Sequence, residues 1–181
     1  MYEGALLTKI TIWFALCGYV AGLFGLLILG RRPKWFQRAR LLWTFGCAWF
    51  LAHVVCAFNY YYDWSHTTAY IETARQTAEA MGSAFGGGVY ISYVFTLVWV
   101  ADVLWWWSSP RSYKGRPRFL NAILHGFMFF IIFNGTVIFK TGPIRWLGVF
   151  ISISLFCLWW LSRNSFEQNN QRLTTKEGSL S

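Results

Sequence analysis

The sequence predicts an all-α polytopic membrane protein, a bundle of five transmembrane helices with one short interfacial helix on the outer side. Three observations carry the prediction. Apolar residues are 56% of the 181 and charged residues only 13%, about half the charged share of a soluble domain. Long apolar runs recur, with lengths near the roughly 20 residues a helix needs to cross the hydrocarbon. Most Lys and Arg residues gather between those runs. This composition excludes a disordered chain, a collagen-like rod and an ordinary soluble globule.

The runs follow in chain order. Residues 10–30 carry no charge, and 41–62 hold only His53 besides tyrosines as a titratable side chain of neutral-pH interest. Residues 89–107 are interrupted once, by Asp102, and 119–139 contain His125. The fifth run, 146–161, is the shortest at 16 residues and reaches 18 if Ile144 starts it and Arg145 snorkels outward. None of these runs alternates with period two, and all are longer than a barrel strand of roughly 10 residues. In lipid, a helix satisfies its backbone within the segment, so each is read as a helix. The first run is not expected to be a signal peptide. Its leading residues are not a basic region, and Arg31-Arg32-Pro33-Lys34 follows it where a small-residue cleavage site would stand.

The net charge of +9 is unevenly placed. Residues 31–40 carry Arg31, Arg32, Lys34, Arg38 and Arg40. Residues 108–118 carry Arg111, Lys114, Arg116 and Arg118, and the tail carries Arg163, Arg172 and Lys176. Against these stand Lys9, Arg75, Lys140 and Arg145. The excess of cations on one side puts the N-terminus outside and the C-terminus in the cytoplasm. Tryptophan gives the same map. Trp35, Trp43, Trp105, Trp106, Trp107, Trp159 and Trp160 fall near the expected inner interface, and Trp13, Trp64 and Trp146 near the outer one. Only Trp49 and Trp99 fall well inside a run. The bundle is expected over 1–162 and a polar cytoplasmic tail over 163–181.

The connections are short except for 63–88. There Thr67, Ile71, Ala74, Ala78 and Met81 recur at helical spacing, Ser65 suits an N-cap, and Gly82 with Gly86-Gly87-Gly88 gives a flexible exit. This segment is expected to be a helix across the outer mouth of the bundle. Gly18 and Gly22 on the first run fit a small-xxx-small helix-packing pattern.

The polar groups inside the runs are the candidates for chemistry. Asp102 lies about 8 Å from the inner edge, at 1.5 Å per residue, and His125 about 9 Å from it. Equal depth on helices joined by a short loop pairs them, for structure or for handling a proton. A salt bridge from Asp102 to Arg118 or Arg40 is the alternative. A second polar level, nearer the outside, comprises His53, Asn59, Tyr93, Thr96 and Asn134, with His66 beyond it. Asn59, Asp63, His66 and Tyr70 would form one stripe if the second helix continued through Trp64. A haem between His53 and His125 is disfavoured by a depth offset of about 8 Å between the two. No cofactor is therefore expected. No metal is expected either, because neither His53 nor His66 has a second histidine at ligand spacing. The four cysteines all fall inside apolar runs, without a Cys-x-x-Cys, and read as small buried side chains. The acceptor-like Asn134-Gly-Thr136 also lies inside a run.

There is no phosphate-binding loop, nucleophile elbow or His-Glu-x-x-His. The sequence reads as a non-catalytic subunit or assembly factor of a bacterial cytoplasmic membrane. Its partners would be the lipid bilayer and another membrane protein or further copies of itself. The alternative is a small proton-coupled transporter built on Asp102 and His125, and a haem-binding redox subunit is a lesser one. A nucleic-acid partner is not expected, because the basic residues lie in short membrane-flanking loops and not on a soluble basic surface.

Overall fold

Apolar sequence without charges leaves the backbone to satisfy its own polar groups, and helices do so locally. The computed structural model describes residues 2–26, 33–138, 142, 145–146, 148–154 and 157, and these contain helices and no strand. In chain order the helices are α1 (Tyr2–Phe24), α2 (Pro33–Tyr60), α3 (His66–Met81), α4 (Gly88–Ser108), α5 (Pro110–Lys114) and α6 (Arg118–Phe133). A π-helical turn, Asn134–Ile138, continues α6. Among the described residues four segments are long and apolar enough to cross a membrane: Gly4–Phe24, Lys34–Tyr60, Gly88–Ser108 and Phe119–Ile138. Of the fifth apolar run, residues 146, 148–154 and 157 are helical, and 147, 155–156 and 158–161 lie outside the described residues. The tail from 163 onward lies outside them as well.

Two helices are longer than their apolar runs. α1 begins eight residues early, and there the hydroxyls of Thr8 and Thr11 donate back to the carbonyls of Gly4 and Leu7, at 2.8 and 2.9 Å. α2 has 28 residues, about 42 Å at 1.5 Å per residue. That exceeds the hydrocarbon thickness, so its first turns, with Lys34, Arg38 and Arg40, extend past the apolar run. Pro33 starts it, since the missing N–H of a first helical residue costs nothing.

α1 and α2 are antiparallel and touch backbone to backbone. A Cβ on Gly18 would lie 2.5 Å from Gly46 Cα, and one on Gly22 would lie 3.2 Å from Trp43 N. α4 packs on α2 and on α6. The chain leaves α2 through Asp63 and Trp64, both left-handed, with φ of 46° and 56°. The helix therefore does not run through Trp64, and Asn59, Asp63, His66 and Tyr70 do not share one helical stripe.

Ser65 caps α3, its Oγ accepting from Thr68 N at 3.2 Å, and Gly82 closes the helix at φ 75°. The buried face of α3 differs from the one the spacing suggested. It runs through Ala69 and Thr77, four residues either side of Thr73, while Ile71 and Met81 are exposed. Tyr70 and Thr73 meet Gly86 and Gly88, which packs α3 onto the entry to α4.

The core is aromatic. Tyr19, Trp43, Phe95, Trp99 and Trp106 are fully buried with Met128. Trp43 and Trp106, placed near an interface by their depth in the sequence, are buried inside the bundle.

Candidate functional site

The corner between α4 and α6 builds the site. Ser109, at φ −141° and ψ 69°, breaks α4, and Pro110 starts the five-residue α5. Gly115 ends it. Arg116 then precedes Pro117, and the proline ring holds the residue before it out of the helical region. The chain consequently turns back and sends the Arg116 side chain into the bundle.

Inside, Arg116 Nη1 donates to Asp102 Oδ1 at 2.5 Å. Asp102 Oδ2 accepts two more bonds, from Trp43 Nε1 at 2.9 Å and from the Tyr113 hydroxyl at 3.0 Å. The guanidinium is used on its other edges too. Nη2 reaches His125 Nε2 at 3.2 Å, and Nε donates to Asn121 Oδ1. Its Cζ sits 4.1 Å over the Tyr113 ring, which in turn stacks on Trp106 at 4.3 Å. The side chains of Asp102 and Arg116 are almost closed to solvent.

Two consequences follow from donor and acceptor chemistry. Arginine has no acceptor, so His125 must accept at Nε2 and carry its proton on Nδ1, as the neutral imidazole. Nδ1 is buried with no partner among the described residues. Tyr113, on α5, is pushed above its ordinary pKa by burial first and by the Asp102 charge next, so it remains a hydrogen-bond donor.

The sequence placed Asp102 and His125 together, either directly or through a water. No hydrogen bond joins them directly among the described residues; Arg116 stands between and bonds to both. The salt bridge of Asp102 goes to neither of the expected cations. Arg40 lies over the Trp107 ring instead, and the Arg118 side chain is outside the described residues. Trp43, Tyr113, Arg116 and Asn121 were missed. Arg116 read as one of many cations near the interface. The signal that marks it is Arg-Pro at the end of a loop too short to lead anywhere but back.

The second polar level does not assemble into one site. His53 Nδ1 lies 2.9 Å from the Thr8 carbonyl on α1. Thr96 and Asn134 bond back to carbonyls of their own helices, those of Ser92 and Phe130. Asn59 is exposed. Only His66 and Tyr93 meet, at 3.0 Å, with Tyr90 on the other imidazole nitrogen at 3.2 Å. Gly18 and Gly22 lie at the α1–α2 contact. His53 and His125 each face different protein partners, the latter a cation.

Asp102 is thus a carboxylate with three donors, one of them a full positive charge, in a buried aromatic setting. Such a group is an anchor: it ties α2, α4 and α5 to one point, and Arg116 carries the tie on to α6. No family model, curated protein or solved structure matches the chain.

Proposed function

We propose that the chain is a non-catalytic subunit or assembly factor of a membrane, which works by presenting a rigid helical surface to another membrane protein or to further copies of itself. The observation that carries this reading is that buried Asp102 is held by Arg116, Trp43 and Tyr113. A carboxylate that carries protons needs a route to water, and this one is buried with three donors already on it, one of them an arginine. Between Asp102 and the His66 end stand Trp43, Trp99, Phe95 and Phe50, in ring contact at 4.9 to 5.6 Å. That packing supports a structural bundle over a proton-coupled transporter. Outward, Leu97, Leu104, Phe119 and Phe130 are exposed along the spans and suit lipid or a partner helix.

The charge asymmetry supports an N-terminus outside and the Asp102 end on the cytoplasmic side, which puts α3 on the outer side; the short loops suit a bacterial cytoplasmic membrane. The run 146–161 would complete a fifth crossing. A reporter fused after Ser181 is expected to be active only on the cytoplasmic side; activity only outside reverses the topology. The function is tested by extraction in a mild detergent followed by native electrophoresis. Migration as an assembly heavier than the single chain, with a fixed stoichiometry, is expected. Migration as a monomer overturns the reading. So does proton flux in reconstituted vesicles that is lost in a folded Asp102→Asn variant, which would establish the transporter.

A further inference from the structure

Charge is badly balanced at the Asp102 end of the bundle. The other carboxylates whose side chains are described and lie beyond α1, Asp63, Glu72 and Glu79, belong to the α2–α3 turn and to α3, at the opposite end. Asp102 is neutralised by Arg116. That leaves Lys34, Arg38, Arg40, Arg111 and Lys114 without an ion pair among the described residues.

Two of these cations are set in a seam where α2 meets the α4–α5 corner. Arg40 Cζ lies 4.1 Å over the Trp107 ring. Trp107 is held in place from α2, its Nε1 donating to Thr44 Oγ1 at 2.9 Å. Phe36 shares the Arg40 flank of α2 one helical turn earlier, and Lys114 Nζ lies 6.0 Å from its ring centre. A cation resting on an aromatic face keeps in-plane N–H groups for an anion. Arg40 Nε is buried with no acceptor among the described residues, which leaves the terminal Nη groups to reach an anion.

The level of the seam identifies the anion. Arg40 is the last charge before the apolar run of α2, and Trp107 is the last residue of α4 before Ser108-Ser109. Both mark the boundary where hydrocarbon gives way to lipid phosphate. Past the indole, α4 continues with Leu104 and Leu97, which are 62% and 69% exposed and offer an apolar wall to an acyl chain. A free phosphate would have no use for that wall. We propose that this seam binds an anionic glycerophospholipid, with Arg40 and Lys114 on its phosphate and its acyl chain along Leu104 and Leu97. The proposal rests on the apolar helices crossing a bilayer and is independent of the subunit role.

The test is native mass spectrometry of the full chain in a neutral detergent. Phosphatidylglycerol, phosphatidylcholine of the same acyl composition, or inorganic phosphate is added. Phosphatidylglycerol is expected to stay bound several-fold more than phosphatidylcholine, and inorganic phosphate is expected not to displace it. Arg40→Gln and Lys114→Gln should each lower its retention about fivefold, the effect of one basic side chain at an anionic membrane surface. Lys9→Gln, on α1 beside Thr8, should leave it unchanged. Lys114 is exposed on α5, so its variant keeps the core intact. Equal retention of the two lipids, or unchanged retention in both seam variants, overturns the site. Displacement by inorganic phosphate overturns the lipid as its ligand.

Discussion

Arg116 Nη1 lies 2.5 Å from Asp102 Oδ1, and the two residues sit fourteen apart at the two ends of the α4–α5 corner. The bond closes the corner like a clasp. It brings the charge of a loop residue to a carboxylate that the membrane would otherwise make very costly. The same guanidinium then reaches α6 through His125 and Asn121, so one side chain fixes the angle at which α6 leaves the corner.

Removing one partner of a buried pair leaves the other uncompensated, at a cost of about 3–5 kcal/mol. Asp102→Leu and Arg116→Met are each expected to destabilise the bundle by that order. The double variant, which leaves no unpaired charge, should recover most of the loss. Equilibrium unfolding in detergent micelles checks this, and additive losses in the double variant would contradict the clasp. Asp102→Asn should be milder than Asp102→Leu, because an amide oxygen still accepts from Trp43 or Tyr113.

The neutral donors can be separated from the charge. Trp43→Phe keeps an aromatic ring and deletes the Nε1 bond to Asp102, and Tyr113→Phe deletes the hydroxyl bond. Each should cost about 1–3 kcal/mol, the cost of leaving a buried acceptor short of a donor. Tyr113 also sets an alkaline limit. Its pKa is raised in the folded state, so its contribution is complete below the ordinary tyrosine value and is lost as pH rises above it. Unfolding followed above about pH 10 should show that loss in the parent chain and not in Tyr113→Phe.

The apolar runs made the four long helices legible, because helix formation in lipid follows from composition alone. The boundaries were less legible. α1 starts early because its threonines satisfy their hydroxyls on their own helix, and a hydropathy run does not register that. Asp102 was legible as a costly group, and His125 as a group near it. Arg116 was not, because a loop arginine and a core arginine look alike until the chain is known to turn back. The burial of Trp43 was not legible for a related reason. Its depth suits the interface, but depth says nothing about which way a helix face turns, and that face is decided by the Gly18–Gly46 contact with α1.

On α3 the charges give a prediction at acid pH. Glu72 Oε1 accepts from Arg75 Nη2 at 2.6 Å and from Gln76 Nε2 at 3.0 Å, and Oε2 accepts from Arg75 Nε at 2.9 Å. Glu79 accepts from the same guanidinium. Hydrogen bonds from Arg75 and then Gln76 hold Glu72 down to about 2, from an ordinary 4.5. A depressed carboxylate stabilises above its unfolded pKa and loses that effect as pH falls through the folded one. α3 should therefore hold steady at neutral pH and loosen between about pH 4.5 and 2, which amide exchange along His66–Met81 would report. The group is partly solvated and its partner exposed, so the effect is small. Glu72→Gln should remove the transition; an unchanged profile would show that Glu72 does not control it.

Gly18 and Gly46 test the α1–α2 contact against ordinary helix propensity. A methyl on Gly18 would lie 2.5 Å from Gly46 Cα and 2.6 Å from Gly46 N. These are backbone atoms, which cannot swing aside as a side-chain end could. The helices must separate, and every contact along the crossing, including Gly22 with Trp43, loosens with them. Gly18→Ala and Gly46→Ala should each cost about 1–3 kcal/mol, the range for overfilling a packed interior. Gly126 on α6 is the internal control, because a methyl there meets nothing within 4 Å among the described residues. Gly126→Ala should be neutral or gain up to about 1 kcal/mol from helix propensity. All three variants lie in helices, so propensity alone predicts the same small gain for each. Opposite signs at Gly18 and Gly126 in thermal unfolding would assign the difference to the crossing. If Gly18→Ala stabilised as much as Gly126→Ala, the close approach of α1 to α2 would be wrong, and the burial of Trp43 that depends on it would have to be redrawn.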